Sequence, residues 1–115
     1  MRTEAFETLG HLRSGSIVYT CEHASNRLPL PLRATAADRA LLAMHWGYDI
    51  GAAWITRSLA RGEVAVLART SRLVLDVNRA PDDPTLILAD THDGPVSFNQ
   101  SLTEDEVALI RESVK

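Results

Sequence analysis

The stretch Ser16-Ile17-Val18-Tyr19-Thr20-Cys21-Glu22-His23-Ala24-Ser25-Asn26 decides how this chain is read. Its β-branched run, bounded by Gly15, predicts a buried strand over 16–21. The run gives out at a histidine and a small polar turn. A second run, Ser71-Arg72-Leu73-Val74-Leu75-Asp76-Val77-Asn78-Arg79, breaks in the same manner. It predicts a strand over 72–77, with Arg72 and Asp76 at alternate positions on one face. Open α/β sheets bind ligands in the crevice beyond the carboxyl ends of their strands. Two strands that break into His, Asp, Asn and Arg therefore read as two walls of one site. Histidine offers a metal-ligating or proton-transferring nitrogen, and arginine a planar fork for a carboxylate. The combination points to chemistry on a small anionic substrate.

Working outward, a third strand is predicted over 63–69. Pro29 and Pro31 make the segment after His23 an irregular loop. Thr35 caps a helix to about Met44, with Asp38 as its capping-box partner. A second helix spans about Asp49 to Ala60, with Ile50, Ala53, Trp54 and Arg57 on one mainly apolar stripe. Residues 1–14 read as peripheral, and Ala80 to Ser101 as a long, functional loop. Thr103 and Glu106 form a capping box for a last helix with Val107, Ile110 and Val114 on one face. The order is β-α-α-β-β-loop-α, an α/β open sheet with flanking helices.

Length and composition bound the function classes. At 115 residues the chain is one domain at most. A net charge of −3 supplies no basic field for nucleic acid. No apolar run reaches transmembrane length, and Glu4 and Glu7 argue against a signal peptide. A single cysteine makes no internal disulfide and fits a reducing cytoplasm. The expectation is a cytoplasmic protein without nucleic-acid or membrane partners.

Three motifs carry a resemblance. Cys21-Glu22-His23-Ala24-Ser25-Asn26-Arg27-Leu28-Pro29, then His45 through Tyr48-Asp49-Ile50-Gly51, then Ser71 to Arg79, resemble the N-formylglutamate amidohydrolase family in order and spacing. The chain departs from the family pattern at Tyr48, where tryptophan is usual, and has Gly47 beside Trp46. The resemblance implies a zinc-dependent hydrolase of an N-acyl amino acid, cutting N-formylglutamate to formate and glutamate in histidine degradation. It also implies an architecture like the N-terminal half of a zinc-carboxypeptidase or phosphorylase/hydrolase-like fold. Family members are longer and carry a later Tyr-His motif with no counterpart here. Residues 1–115 are therefore expected to be a single, incomplete domain that lacks its C-terminal half or self-associates.

Through the resemblance, His23 is a zinc ligand and Asp49 a second one. The related carboxypeptidase pattern has an acid where this chain has Asn26, and a neutral amide is a poor zinc ligand. His45 orients a ligand or simply faces solvent. Asn78 and Arg79 hold a substrate carboxylate, helped by Ser25 and Asn26. Arg72 stabilises a developing oxyanion or pairs with Asp76. Asp76 itself reads as an ion-pair member, a ligand support or a base. Cys21 lies at i, i+2 from His23, so a thiol dyad is geometrically conceivable, although a small buried cysteine is commoner. The competing reading is a non-catalytic fragment that binds carboxylate or metal at half a site.

Overall fold

The computed structural model describes residues 5–29, 32–100 and 102–113. Its larger sheet has three strands: β1 (Phe6–Leu9), β2 (Val18–Cys21) and β3 (Val64–Ala68). Their order is β1-β3-β2. β3 lies in the middle because its residues are apolar on both faces, four of its five being buried. β2 pairs with it in parallel, Val18 opposite Val64 and Cys21 opposite Leu67. Parallel pairing needs a crossover, and the chain supplies α1 (Ala36–Leu42) and α2 (Ala52–Leu59) within it.

Both capping boxes form. Thr35 Oγ1 accepts from the Asp38 N–H at 3.1 Å, and the Asp38 carboxylate accepts from the Thr35 N–H at 2.8 Å. Thr103 and Glu106 repeat the pattern at 3.1 and 3.2 Å, starting α3 (Glu104–Ser113). Asp38 is 1% exposed and also accepts from the Ser97 N–H and hydroxyl, which ties α1 to the later part of the chain.

Three expectations are corrected. The first concerns residues 6–9, which are not peripheral: they form β1, antiparallel to β3, with Phe6 opposite Ala68 and Leu9 opposite Ala65. The second concerns residues 72–77, which are turns rather than a strand. Side chains there compete for the backbone: Ser71 Oγ accepts from the Leu73 N–H and Asp76 Oδ1 from the Asn78 N–H. Leu73, Val74 and Leu75 are all buried, packed with Leu41, Leu42, Leu86, Val96, Phe98 and Ile110, so no alternating face exists. Arg72 and Asp76 consequently share no strand face and meet across a turn. The third concerns the loop 80–101, which contains a small hairpin, β4 (Asp90–Thr91) with β5 (Gly94–Pro95), and a 3-10 turn at Ser97–Asn99.

The second helix also differs from its expected packing. It rests on β2 and β3 through small residues, Ala52, Ala53 and Ala60, against Cys21, Ala65 and Leu67. Its bulky residues face away: Trp54 is 73% exposed and Ile50, just before the helix, 69%. The expected stripe is therefore split, with Ala53 inward and Ile50 and Trp54 outward. Among the described residues, no helix is long and apolar enough to cross a membrane.

Candidate functional site

Three segments meet beyond the carboxyl ends of β2 and β3, and backbone bonds knit them together. The Asp49 N–H donates to the His23 carbonyl at 2.9 Å, and the Ser71 N–H to the Arg27 carbonyl at 2.8 Å. The buried Ser71 hydroxyl donates to the Gly47 carbonyl at 2.7 Å, which also accepts from the Arg72 N–H at 3.3 Å. Gly47 is needed for this approach, since a Cβ there would lie 2.2 Å from the Leu42 carbonyl oxygen. The Asn26 amide donates to that same carbonyl at 3.2 Å, so its side chain braces the loop.

This scaffold presents a ring of charges. His23, 9% exposed, sits between two carboxylates. Its Nε2 lies 2.7 Å from Asp76 Oδ1 and its Nδ1 3.3 Å from Asp49 Oδ2. Arg72 closes the ring, with Nη1 3.5 Å from Asp49 Oδ1 and Nη2 3.3 Å from Asp76 Oδ2. Arg79 Nε adds a bond to Asp76 Oδ2 at 3.1 Å, and the Asn78 N–H donates to Asp76 Oδ1 at 3.0 Å. Asp76 is 3% exposed. Burial alone would raise its pKa, but the His23 bond, the Asn78 N–H and the charges of His23 and Arg72 outweigh burial and hold it below the usual value.

Asp49 is not a helix cap. The N-cap of α2 is Gly51, in the left-handed region at φ +86°, which leaves the Asp49 side chain to the ring. The strong Nε2 contact assigns the imidazole proton to Nε2, donated to Asp76. In the uncharged imidazole the Nδ1 lone pair then faces an oxygen of Asp49, whereas in the imidazolium whose charge lowers Asp76 the Nδ1 proton is donated to it. Two acceptors in that position require a proton or a cation between them. Two donors on a tetrahedral zinc, each at about 2.0–2.1 Å, lie about 3.3 Å apart. The Nδ1–Oδ2 separation is compatible with that, as it is with the direct hydrogen bond or ion pair the two groups make here. A carboxylate behind a metal-bound histidine is the usual support for such a nitrogen, and Asp76 stands in that position relative to His23. His23 and Asp49 thus fit as two donors. Among the described residues, no group of three His, Cys, Asp or Glu side chains is placed to hold a metal ion.

The other expected residues divide. Arg79 is braced at two points, since Nη1 also donates to the Thr85 carbonyl at 3.1 Å and to its hydroxyl. The space bounded by Trp46, Arg72, Asp76, Arg79, Thr85 and Leu88 is about 30 Å³, room for roughly one water. Asn78 joins the ring through its backbone, with an exposed side chain. Ser25 Oγ accepts from the Arg27 N–H at 3.1 Å and lines a separate cavity. His45 stays outside the ring: it is exposed and its ring lies 4.6 Å from that of Trp46. Cys21 is buried against the sheet core while both His23 nitrogens face carboxylates, so no thiol dyad forms. Thr85 and Trp46 were not anticipated. Trp46 Nε1 donates to Asp93 at 2.7 Å, pinning the β4–β5 hairpin beside the ring.

The fold and site define a mixed α/β chain with a histidine–carboxylate centre at its sheet edge. The sequence profile of the N-formylglutamate amidohydrolase family matches residues 15–114, and the chain belongs to that family. The structure is similar to the crystal structure of gene product Atu2144 from Agrobacterium tumefaciens, with a TM-score of 0.83 and 27% identity. That match covers 97% of this chain and 45% of the Agrobacterium chain, so this chain spans less than half of its neighbour's length. Among curated proteins, none matches the sequence.

Proposed function

We propose that this chain carries the metal-binding and substrate-holding part of a zinc-dependent amidohydrolase acting on an N-acyl amino acid of the N-formylglutamate kind. The observation that carries the reading is His23 set between Asp49 at 3.3 Å and Asp76 at 2.7 Å. His23 Nδ1 and Asp49 hold the metal, and Asp76 fixes the imidazole by accepting its Nε2 proton. Bound zinc supplies a Lewis acid for the amide carbonyl and lowers the pKa of water. Arg72 bridges both carboxylates, offsetting one of their two charges, and stands ready for oxyanion charge. Arg79, held by Asp76 and Thr85, turns its remaining nitrogen, Nη2, to a substrate carboxylate with Asn78 beside it. The family's own activity and the chemistry of the donor set support this reading, as does the placement beyond the parallel strand ends. The relation to a zinc-carboxypeptidase-like fold belongs to the same proposal.

One observation favours a second reading, a fragment that binds metal or carboxylate without turnover. The ring offers two donors, and the adjoining space holds about one water rather than an amino acid. Measuring formate release from N-formylglutamate with stoichiometric zinc, alongside zinc binding by calorimetry, decides between them. Zinc-dependent turnover supports the hydrolase. Zinc binding without turnover supports the fragment, and loss of neither on His23→Ala removes the centre from both.

A further inference from the structure

On the α2 side of the sheet, a cavity of about 350 Å³ opens at the carboxyl ends of β2 and β3. It shares no lining residue with the charge ring. Three arginines line it, each from a different part of the fold: Arg27 after β2, Arg57 on α2 and Arg69 after β3. Glu7 of β1 is the single acidic residue among the lining residues, so their formal balance is +2. Ala24, Ala53, Leu67 and Ala68 give the cavity small apolar walls.

The Arg27 and Arg57 guanidinium groups are positioned rather than loose. Arg27 Nε donates to the Arg69 carbonyl at 2.8 Å and its Nη2 to the Thr70 hydroxyl at 3.3 Å. Those two bonds fix the plane of the fork. Arg57 Nη2 pairs with Glu7, which ties this second lining arginine to β1. Ser25, whose oxygen already accepts from the Arg27 N–H, keeps a hydroxyl proton to donate. A fixed guanidinium loses little freedom on binding, and forked donors match the oxygen pairs of carboxylates and phosphates.

We propose that this cavity is a binding site for a small dianion, held between Arg27 and Arg57 with the Ser25 hydroxyl as a further donor. The lining carries a positive formal charge that suits an anion, and the volume lies at the small end of ligand cavities. Glu7 acts as the internal occupant of Arg57, which an incoming anion must displace. The site stands on its own residues and does not depend on the amidohydrolase reading.

The test is calorimetric titration of the whole chain at pH 7 and low salt, with inorganic phosphate in one arm and succinate in the other. Saturable 1:1 binding is expected in at least one arm, and the arm that binds assigns phosphoryl or dicarboxylate chemistry. Arg27→Gln or Arg57→Gln weakens binding by about tenfold, the worth of a charged hydrogen bond. Arg33→Gln, an equal charge change outside the cavity, leaves it unchanged. Glu7→Gln tightens it, a gain that an unfolded variant does not give. No binding of either anion at millimolar concentration overturns the proposal. Equal weakening by Arg33→Gln, or weaker binding by Glu7→Gln, overturns it too.

Discussion

His23 and Arg72 hold the same two carboxylates, each facing the oxygens that the other leaves. The imidazole faces Asp49 Oδ2 and Asp76 Oδ1, and the guanidinium faces Asp49 Oδ1 and Asp76 Oδ2. The two acids differ in surroundings: Asp76 is buried, whereas the Asp49 side chain is 53% exposed. One acid is therefore an anchor and the other is open to a ligand.

Asp76→Ala should be strongly destabilising. It strips a buried acceptor from His23, Arg72, Arg79 and the Asn78 N–H at once. Removing one partner of a buried ionic cluster costs about 3–5 kcal/mol. Urea unfolding checks this, and a change below about 1 kcal/mol, the range of an exposed ion pair, would show that Asp76 is no hub.

Asp49→Asn should leave the fold nearly intact and cut zinc affinity. Its carboxylate is exposed, so the stability change stays within about 1 kcal/mol, while an amide replaces the proposed zinc donor. Zinc titration of both forms is the measurement, and equal affinity would take Asp49 out of the centre.

Stability should fall in acid. Burial alone would raise the Asp38 carboxyl, but bonds from Ser97 and Thr35 outweigh it and lower the pKa; Asp76 is lowered too. A carboxyl with a lowered folded-state pKa adds stability that is fully present above its unfolded value and is lost as pH falls through the folded one. The melting temperature should therefore be nearly level above about pH 5 and drop below about pH 4, near the unfolded carboxylate range. Asp38→Asn should flatten that drop, and an unaltered acid limb would rule Asp38 out as its source.

Gly47→Ala should disturb the site from outside it. The added methyl meets the Leu42 backbone, which cannot swing aside as a side chain could. Overpacking of this sort costs about 1–3 kcal/mol. It also shifts the carbonyl that Ser71 and Arg72 grip. A heteronuclear NMR spectrum should show displaced signals at Asp49 and Arg72, and an unperturbed spectrum would refute the coupling.

Local chemistry made parts of this structure legible in the sequence. Both capping boxes and the places of β2 and β3 follow from side chains within a few residues of one another. β2, however, is not the buried strand expected over 16–21: it spans Val18–Cys21 at the sheet edge, with only Cys21 buried. Leu73-Val74-Leu75 misled because an apolar run satisfies a buried turn as well as a strand, and Ser71 and Asp76 supply the bonds that favour the turn. β1 was missed because Phe6-Glu7-Thr8-Leu9 becomes a strand only by pairing with β3. The ring's members could be named from three motifs, but not their partners: Arg79 with Thr85, or Arg72 with two acids at once, depend on tertiary placement. The arginine cavity left no local signal at all, since its three cations come from separate elements.

The parallel pairing of β2 with β3 also sets a timetable. Residues 22–63 must be looped out before these strands can meet, a closure costing about 3 kcal/mol in chain entropy before its constant term. The β4–β5 hairpin closes over only residues 92–93. His23 stands 26 positions from Asp49 and 53 from Asp76, so its surroundings assemble only after the slow, long-range step. The imidazole resonances of His23 should therefore serve as a clock for the end of folding, expected to stay unshifted while helices and hairpin form and to move once the chain has closed on itself.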